Sequence, residues 1–300
     1  MSDAPRVAVV IVSFEAREAL LACLDSLRAH ASLPIETVVV DNASTDGSAD
    51  ALRAAHPSVL VIANTENVGF ARACNQGWRA SRAPLVLFLN PDAEVTRGAV
   101  ETLAGLLEER PEVGAAGPRT RSADGTIQVS TGPDHTPFAE LWQRRLVRGV
   151  ARRDAGALAE AEDLHSREHE PDWVSGSCLA ARRAALAAVS GFDERFFLYE
   201  EDADLCRRLR AAGWRVVFTP AAEVRHRLGV SMAKAPRRAR LEYHRSHLLY
   251  YRKHNGPLAR GALRLLLAAR GFGGWLHGFV SGDATARADG AALVRMALSS

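Results

Sequence analysis

Three hundred residues with 47% hydrophobic and 24% charged side chains are enough for one substantial α/β core plus an appendage, and they exclude a wholly disordered chain. The net charge of +3 is unevenly spread: residues 225–270 carry twelve Lys or Arg against one acid, Glu242, which leaves the remainder acidic. Such a basic block is either a solvated face or a surface for an anionic partner, namely a membrane, a diphosphate or nucleic acid.

The polar start leads directly into a strand-length apolar run, RVAVVIVSF. It lacks the n-region, h-region and cleavage site of a secretory leader, so a cytoplasmic location is expected. The four cysteines, Cys23, Cys74, Cys178 and Cys206, form no CxxC pair and are expected to be buried small hydrophobes.

In chain order, the β-branched run 7–13 predicts a strand, and the apolar spacing of Leu20, Leu21, Leu24 and Leu27 predicts a helix over 15–29. A second buried strand over 35–40 ends in DNASTDGSAD, whose side-chain acceptors make a turn and cap a helix over 49–55. A third strand over 59–63 precedes NTENVGFARACNQG, where Gly69 allows close backbone approach before a helix over 71–80. The fourth strand, 85–89, is stopped by Asn90, Pro91 and Asp92. A carboxylate held beyond a strand end can bind a metal, or it can simply initiate a following helix.

Strands alternating with helices predict a doubly wound α/β sheet with its polar loops gathered at one edge, where ligands bind. Neither a GxGxxG after the first strand nor a GxxxxGK[ST] is present, which removes the main support for a dinucleotide oxidoreductase or a P-loop NTPase.

Further on, a helix is predicted over 97–109, a short strand over 114–118 and a turn over 123–126. Periodicity then fades across 133–172, apart from a possible helix at 138–147, and a functional loop or lid is expected there. Strand character returns over 173–181, followed by a short helix over 184–189. A helix opens near Glu200 and stops at Gly213, with Glu200, Glu201, Asp202 and Asp204 crowding its first turn. Dipole complementarity explains acids there, but four exceed what capping needs. A last strand over 215–219 brings His226 close behind it.

Read together, VAVVIVSF, VVVDNASTDGS, NVGFARACNQG, LFLNPDAEV, VSGSCLAARR, GFDERFFLYEEDADLCRRLRAAGW and HRLGVS resemble the family 2 glycosyltransferases of GT-A fold, particularly the rhamnosyltransferase-like branch. Each motif alone is common, whereas seven in this order over about residues 6–232 are specific. The resemblance implies a GT-A catalytic domain over 1–232, with an acceptor-side region at 133–172 and a basic helical extension over 233–300. It implies an enzyme that inverts the anomeric centre of a nucleoside-diphosphate sugar, dTDP-L-rhamnose first and UDP-sugars next. The acceptor would be a saccharide or lipid-linked saccharide in cell-surface glycan biosynthesis, with no nucleic acid partner.

By the same resemblance, Asp41 contacts the nucleotide base beside Val12 and Ser13. Gly69, Arg72, Asn75 and Asn90 line the donor, and Asp92, with His226, holds Mg²⁺ or Mn²⁺. Asp202 is the general base, and Glu201 orients it or binds the acceptor. Asn90 replaces the first acid of the family's DxD motif, a form that branch tolerates. Glu15 stands where Asn is often found, and the resemblance gives it no role. A sugar-phosphate nucleotidyltransferase and a non-catalytic saccharide-binding protein are the alternatives. The first strand runs into SFEAR, not a glycine-rich GxGTR loop, and Asp92 and Asp202 are both in place. In the C-terminal segment, apolar stretches broken by Arg260, Arg264 and Arg270 predict either a helix lying on an anionic membrane at its inner face or a helical cap on the catalytic domain.

Overall fold

The computed structural model describes residues 4–227 and 236–299. Leu228 to Ser231 of the HRLGVS motif, and the expected boundary at 232, lie outside the described residues. Parallel strands β1 (Val7–Ser13), β2 (Ile35–Asp41), β3 (Leu60–Ala63) and β4 (Leu85–Leu89) form one half of an eight-stranded sheet. The other half is built from β5 (Ala93–Val95), β6 (Val113–Arg121), β9 (Cys178–Arg182) and β10 (Arg215–His226), and the full order is β3-β2-β1-β4-β9-β6-β10-β5. Strand β9 runs antiparallel between β4 and β6, so it joins the halves. A separate pair, β7 (Thr131–Gly132) with β8 (Trp173–Val174), lies outside this sheet.

Period-two alternation divides the strand side chains between two cores. Val10, Val12, Val38, Val40, Val86 and Phe88 face one layer, while Val9, Ile11, Val39, Leu85, Leu87 and Leu89 face the other. Helices α1 (Arg17–His30), α2 (Ser48–Ala55) and α4 (Ala99–Glu109) contribute Leu20, Leu52 and Leu103 to the second layer. Helices α3 (Phe70–Ala80), α7 (Arg183–Ala188) and α8 (Glu201–Ala211) contribute Cys74, Leu186 and Leu205 to the first. Burial on both faces is why strands β1 and β4 read as unbroken apolar runs. All four cysteines are buried and unpaired.

Several elements differ from expectation. Asp92 precedes a strand, β5, and not a helix; α4 opens only at Ala99, after Gly98 in the left-handed region at φ 79°. A three-residue strand has no period to detect. The 173–181 run is two strands, broken by the turn Ser175-Gly176-Ser177. Strand β10 continues past Pro220, because a register shift between Thr219 and Glu223 absorbs the missing N–H and rephases the strand. His226 is therefore the end of that strand, paired in register with Ala93.

The 133–172 stretch, expected to be a functional loop or lid with a helix at 138–147, holds that helix as α5 (Pro137–Ala151) and a second one, α6 (Ala155–Leu164), around a third small core of Ile127, Leu146, Ala157 and Ala161. Helix α6 is alanine-rich, and Gly149 lies so close to Ala157 that an added Cβ would sit 2.4 Å from its methyl group. Packing of small residues leaves little hydrophobic pattern in a sequence.

The C-terminal segment forms α9 (Pro236–His254), α10 (Pro257–Ser281) and α11 (Ala284–Ser299). Helix α9 is built into the first core through fully buried Tyr250 and Tyr251. No helix among the described residues is long and apolar enough to cross a membrane.

Candidate active site

The ends of β4, β9 and β10 and the start of α8 surround a cavity of about 320 Å³. Of the residues singled out in the sequence, Val12, Gly69, Asn90, Asp92, Glu201, Asp202 and His226 line it. At one corner, pairing of His226 with Ala93 sets His226 Nε2 3.0 Å from Asp92 Oδ1 and 3.3 Å from Asn90 Nδ2.

Gln128 fixes the ring. Its amide nitrogen donates to the His226 carbonyl at 2.7 Å, which turns its oxygen toward His226 Nδ1 at 3.1 Å. A neutral imidazole then carries its proton on Nδ1 and presents the Nε2 lone pair to a carboxylate oxygen. Two acceptors that close require a proton or a cation between them, so the corner fits a divalent metal. No group of three His, Cys, Asp or Glu side chains gathers for a metal among the described residues; oxygens of a bound diphosphate would have to complete the shell.

Across the cavity, Tyr199 and Glu200 both sit in the left-handed region, at φ 72° and 67°. Two consecutive non-glycine residues there mark a strained entry to α8, of the kind found at functional sites. The turn separates the four acids. Glu200 points away from the cavity, to His247 Nδ1 at 2.8 Å and His135 Nε2 at 3.2 Å. Burial pulls its carboxyl up, but the two imidazoles outweigh it and hold it below its usual range.

Asp204, fully buried, accepts from Arg208 Nε at 2.7 Å and lies 2.7 Å from His254 Nε2, with the Lys253 ammonium also against it. These two acids tie α8 to α9. Glu201 and Asp202 face the cavity.

Asp202 is held by two backbone donors, Gly176 N–H to Oδ2 at 2.7 Å and Ala203 N–H to Oδ1 at 2.8 Å. Both favour the charged form, yet burial wins and the carboxyl is pushed above its ordinary value. Burial therefore leaves it a stronger base than a free aspartate, despite its place at a helix start. Burial, with Asp202 and Glu200 nearby, drives Glu201 well above the usual carboxylate range, and its buried Oε2 has no hydrogen-bond partner. Adjacent carboxyls of raised basicity in a cavity are suited to proton transfer.

Other sequence candidates lie outside this lining. Asn75 uses its whole amide on Phe192, Glu194 and Trp78, which clamps the loop before α8. Arg72 faces Glu194 at 3.8 Å on the surface. Asp41 and Ser13 are buried at the ends of β2 and β1, and Asp41 accepts from Ser44 Oγ. Glu15, for which the family resemblance implies no role, accepts from Thr45 N–H at 2.7 Å and Thr45 Oγ at 2.9 Å, and so straps down the loop after β2.

Sequence reasoning missed Gln128, Tyr199 and the Ser175-Gly176-Ser177 turn, none of which carries a local signal. It also missed Glu242 on α9, which lines the cavity with a buried, unpartnered Oε2. That one had a signal, as the lone acid in the basic block.

The chain matches the family models Glycosyl transferase family 2 over residues 8–157 and Glycosyl transferase family group 2 over residues 85–243. It is 31% identical over 278 residues to N-acetylglucosaminyl-diphospho-decaprenol L-rhamnosyltransferase of Mycobacterium tuberculosis, covering 86% of this chain and 88% of the relative. Over 55 residues, 18% of this chain and 21% of the relative, it is 44% identical to rhamnosyltransferase WbbL of Escherichia coli. Among solved structures, mannosyltransferase PcManGT from Pyrobaculum calidifontis, in complex with GDP-Man and Mn²⁺, superposes with a TM-score of 0.61 at 19% identity over 98% of this chain and 86% of its own. TarS 1–349 of S. aureus in complex with UDP gives 0.52 at 16% identity, over 88% and 70%. The structural likenesses establish the fold.

Proposed function

The chain belongs to glycosyl transferase family 2, and from that premise we propose that it transfers L-rhamnose from dTDP-L-rhamnose to a lipid-linked saccharide with inversion. That it is a glycosyltransferase of glycan biosynthesis, rhamnosyltransferase-like, follows from the family and the relative. The finer reading of donor and acceptor is supported by the name of the relative that matches over most of both chains.

The observation that carries the mechanism is Asp202, fixed by two N–H donors, raised in basicity and facing the cavity that Asp92 and His226 also line. An acceptor hydroxyl oxygen attacks the anomeric carbon as the bond to the diphosphate oxygen breaks. The diphosphate leaves with that electron pair, and Asp202 Oδ takes the hydroxyl proton. Glu201, adjacent and protonated over a wider pH range, donates a hydrogen bond to the acceptor. Asp92 and His226 would hold Mg²⁺ or Mn²⁺, which supplies Lewis-acid stabilisation of the departing diphosphate. Val12, Gly69 and Asn90 border the donor, while Asp41 meets the base. The strained Tyr199–Glu200 turn keeps the base aimed without cost at the moment of reaction.

Asp202→Asn in purified protein, with donor and acceptor supplied, is expected to lower kcat about 10² to 10⁴-fold while the thermal midpoint stays close to wild type. Full retained activity would remove Asp202 from this role. The donor is tested separately: with Mn²⁺ present, dTDP-L-rhamnose should raise the thermal midpoint more than UDP-sugars do.

A further inference from the structure

We infer that α10 is a membrane-docking helix that lies in the interface of an anionic bilayer with its outer apolar face inserted. Leu258, Leu265, Phe272, Leu276, Phe279 and Val280 are all exposed. Their steps of seven, seven, four, three and one residues place them along one face of a helix. From Leu258 to Val280 this ridge runs about 33 Å at the rise of an α-helix. Along its second half, Trp275 stacks between Phe272 and Phe279, with ring centroids 5.9 and 5.8 Å away. A contiguous apolar ridge of this length exceeds the scattered single hydrophobes normal on a surface.

The ridge cannot turn inward. The opposite side of α10 presents Leu263, Leu267, Gly271 and Gly278, all buried. Glycines let α11 approach so closely that a Cβ on Gly290 would lie 2.4 Å from the Trp275 nitrogen, and one on Gly278 2.6 Å from the Arg287 nitrogen. The packed side of α10 is thus locked against α11, and the apolar side is locked outward.

Charge decides the occupant. Residues 257–281 contain Arg260, Arg264, Arg270 and His277 and no acid. A second copy pairing this helix with itself would set arginines against arginines with no carboxylate on either helix to answer them, whereas anionic headgroups answer them directly. The basic block acts less as a free polycation than its composition suggests. Arg227, Arg237, Arg240, Arg245 and Lys253 are ion-paired, and Arg264 donates to the carbonyls of Ala297 and Leu298. Docking therefore rests on insertion of the ridge, with charge assisting. A helix interrupted by arginines lies in the interface and does not span it. Because α9 both lines the active-site cavity and leads into α10, docking holds the cavity at the membrane surface.

The test needs neither donor nor acceptor, so it stands or falls apart from the sugar-transfer reading. The full chain is sedimented with vesicles of phosphatidylcholine containing 30% phosphatidylglycerol, and with phosphatidylcholine alone. Wild type is expected to bind the mixed vesicles and, more weakly, the neutral ones. The variant Phe272→Ser/Leu276→Ser/Phe279→Ser, altered only at exposed positions and checked by thermal midpoint, is expected to bind at least tenfold less tightly to both. Binding unchanged in the variant, or wild-type binding abolished by salt alone, overturns insertion of the ridge. Absence of vesicle binding with a concentration-dependent dimer that the variant loses overturns it in favour of a second copy.

Discussion

Glu200 and Asp202 are two residues apart at one helix start, yet the left-handed turn at Tyr199 and Glu200 sends them to opposite tasks. Glu200 is held below its usual range by neighbouring imidazoles, whereas Asp202 is kept basic by burial. As the proposed base, Asp202 acts only when deprotonated, and its pKa is raised. The acid limb of kcat is therefore expected to fall above the ordinary aspartate range, and a pH profile at saturating substrates reads it. Gln128 has no direct contact with the reacting atoms but sets which His226 nitrogen faces Asp92. Gln128→Leu is expected to weaken Mn²⁺ binding about 10 to 100-fold, measured by titration calorimetry with nucleotide present, with little change in thermal midpoint. Gly69 is constrained twice, by φ 88° and by Phe197, whose carbonyl oxygen would lie 2.7 Å from an added Cβ while accepting from Phe70 N–H. Gly69→Ala is expected to cost at least about 1 kcal/mol in denaturant unfolding.

Helix α9 supports the left-handed turn at Tyr199 and Glu200. Buried His247 sits 2.8 Å from Glu200 and 3.0 Å from Glu140. Burial alone would lower its pKa; the two carboxylates override that and raise it to about 9. A group whose pKa rises from about 6.5 unfolded to about 9 folded contributes its full stabilisation below about pH 6.5 and loses it as pH climbs through about 9. His247→Asn is therefore expected to destabilise by about 3 to 5 kcal/mol at pH 6 and by clearly less at pH 10, as read from urea unfolding at the two pH values. The sequence carried none of this, because His247 lies in a helix whose heavy basic content masks its buried face. Long apolar runs made β1, β2 and β4 legible, and Gly213 after a periodic stretch marked the end of α8. Strand β5 was too short to show a period, α6 too rich in alanine, and the pairing of His226 with Ala93 depends on a register shift at Pro220 that no local pattern encodes. Asp92 and the acid cluster opening α8 stood out because they lie at strand or helix ends, and the family resemblance singled out Asp202 among those acids, whereas Gln128 and the Ser175-Gly176-Ser177 turn meet the cavity only through tertiary pairing.

At the scale of the whole molecule, the basic extension is joined to the catalytic sheet. Tyr250 and Tyr251 fill the first core, and Lys253 and His254 pair with Asp204. A chain ending at residue 235 would leave Asp204 buried without Lys253 and His254, and Glu200 without His247. It is expected to yield no soluble folded protein, as judged by gel filtration after expression. The antiparallel strand β9 has a similar reach. Among the described strands of the sheet, β6 pairs with β9 and β10, and β4 meets β9 on the side away from β1. On a ribosome, the first four strands can assemble as soon as β4 emerges, but the sheet stays open along β4 for some ninety residues more, until Arg182 is made. Nascent chains of intermediate length carry an unsealed edge, and antiparallel β9 is the strand that closes it.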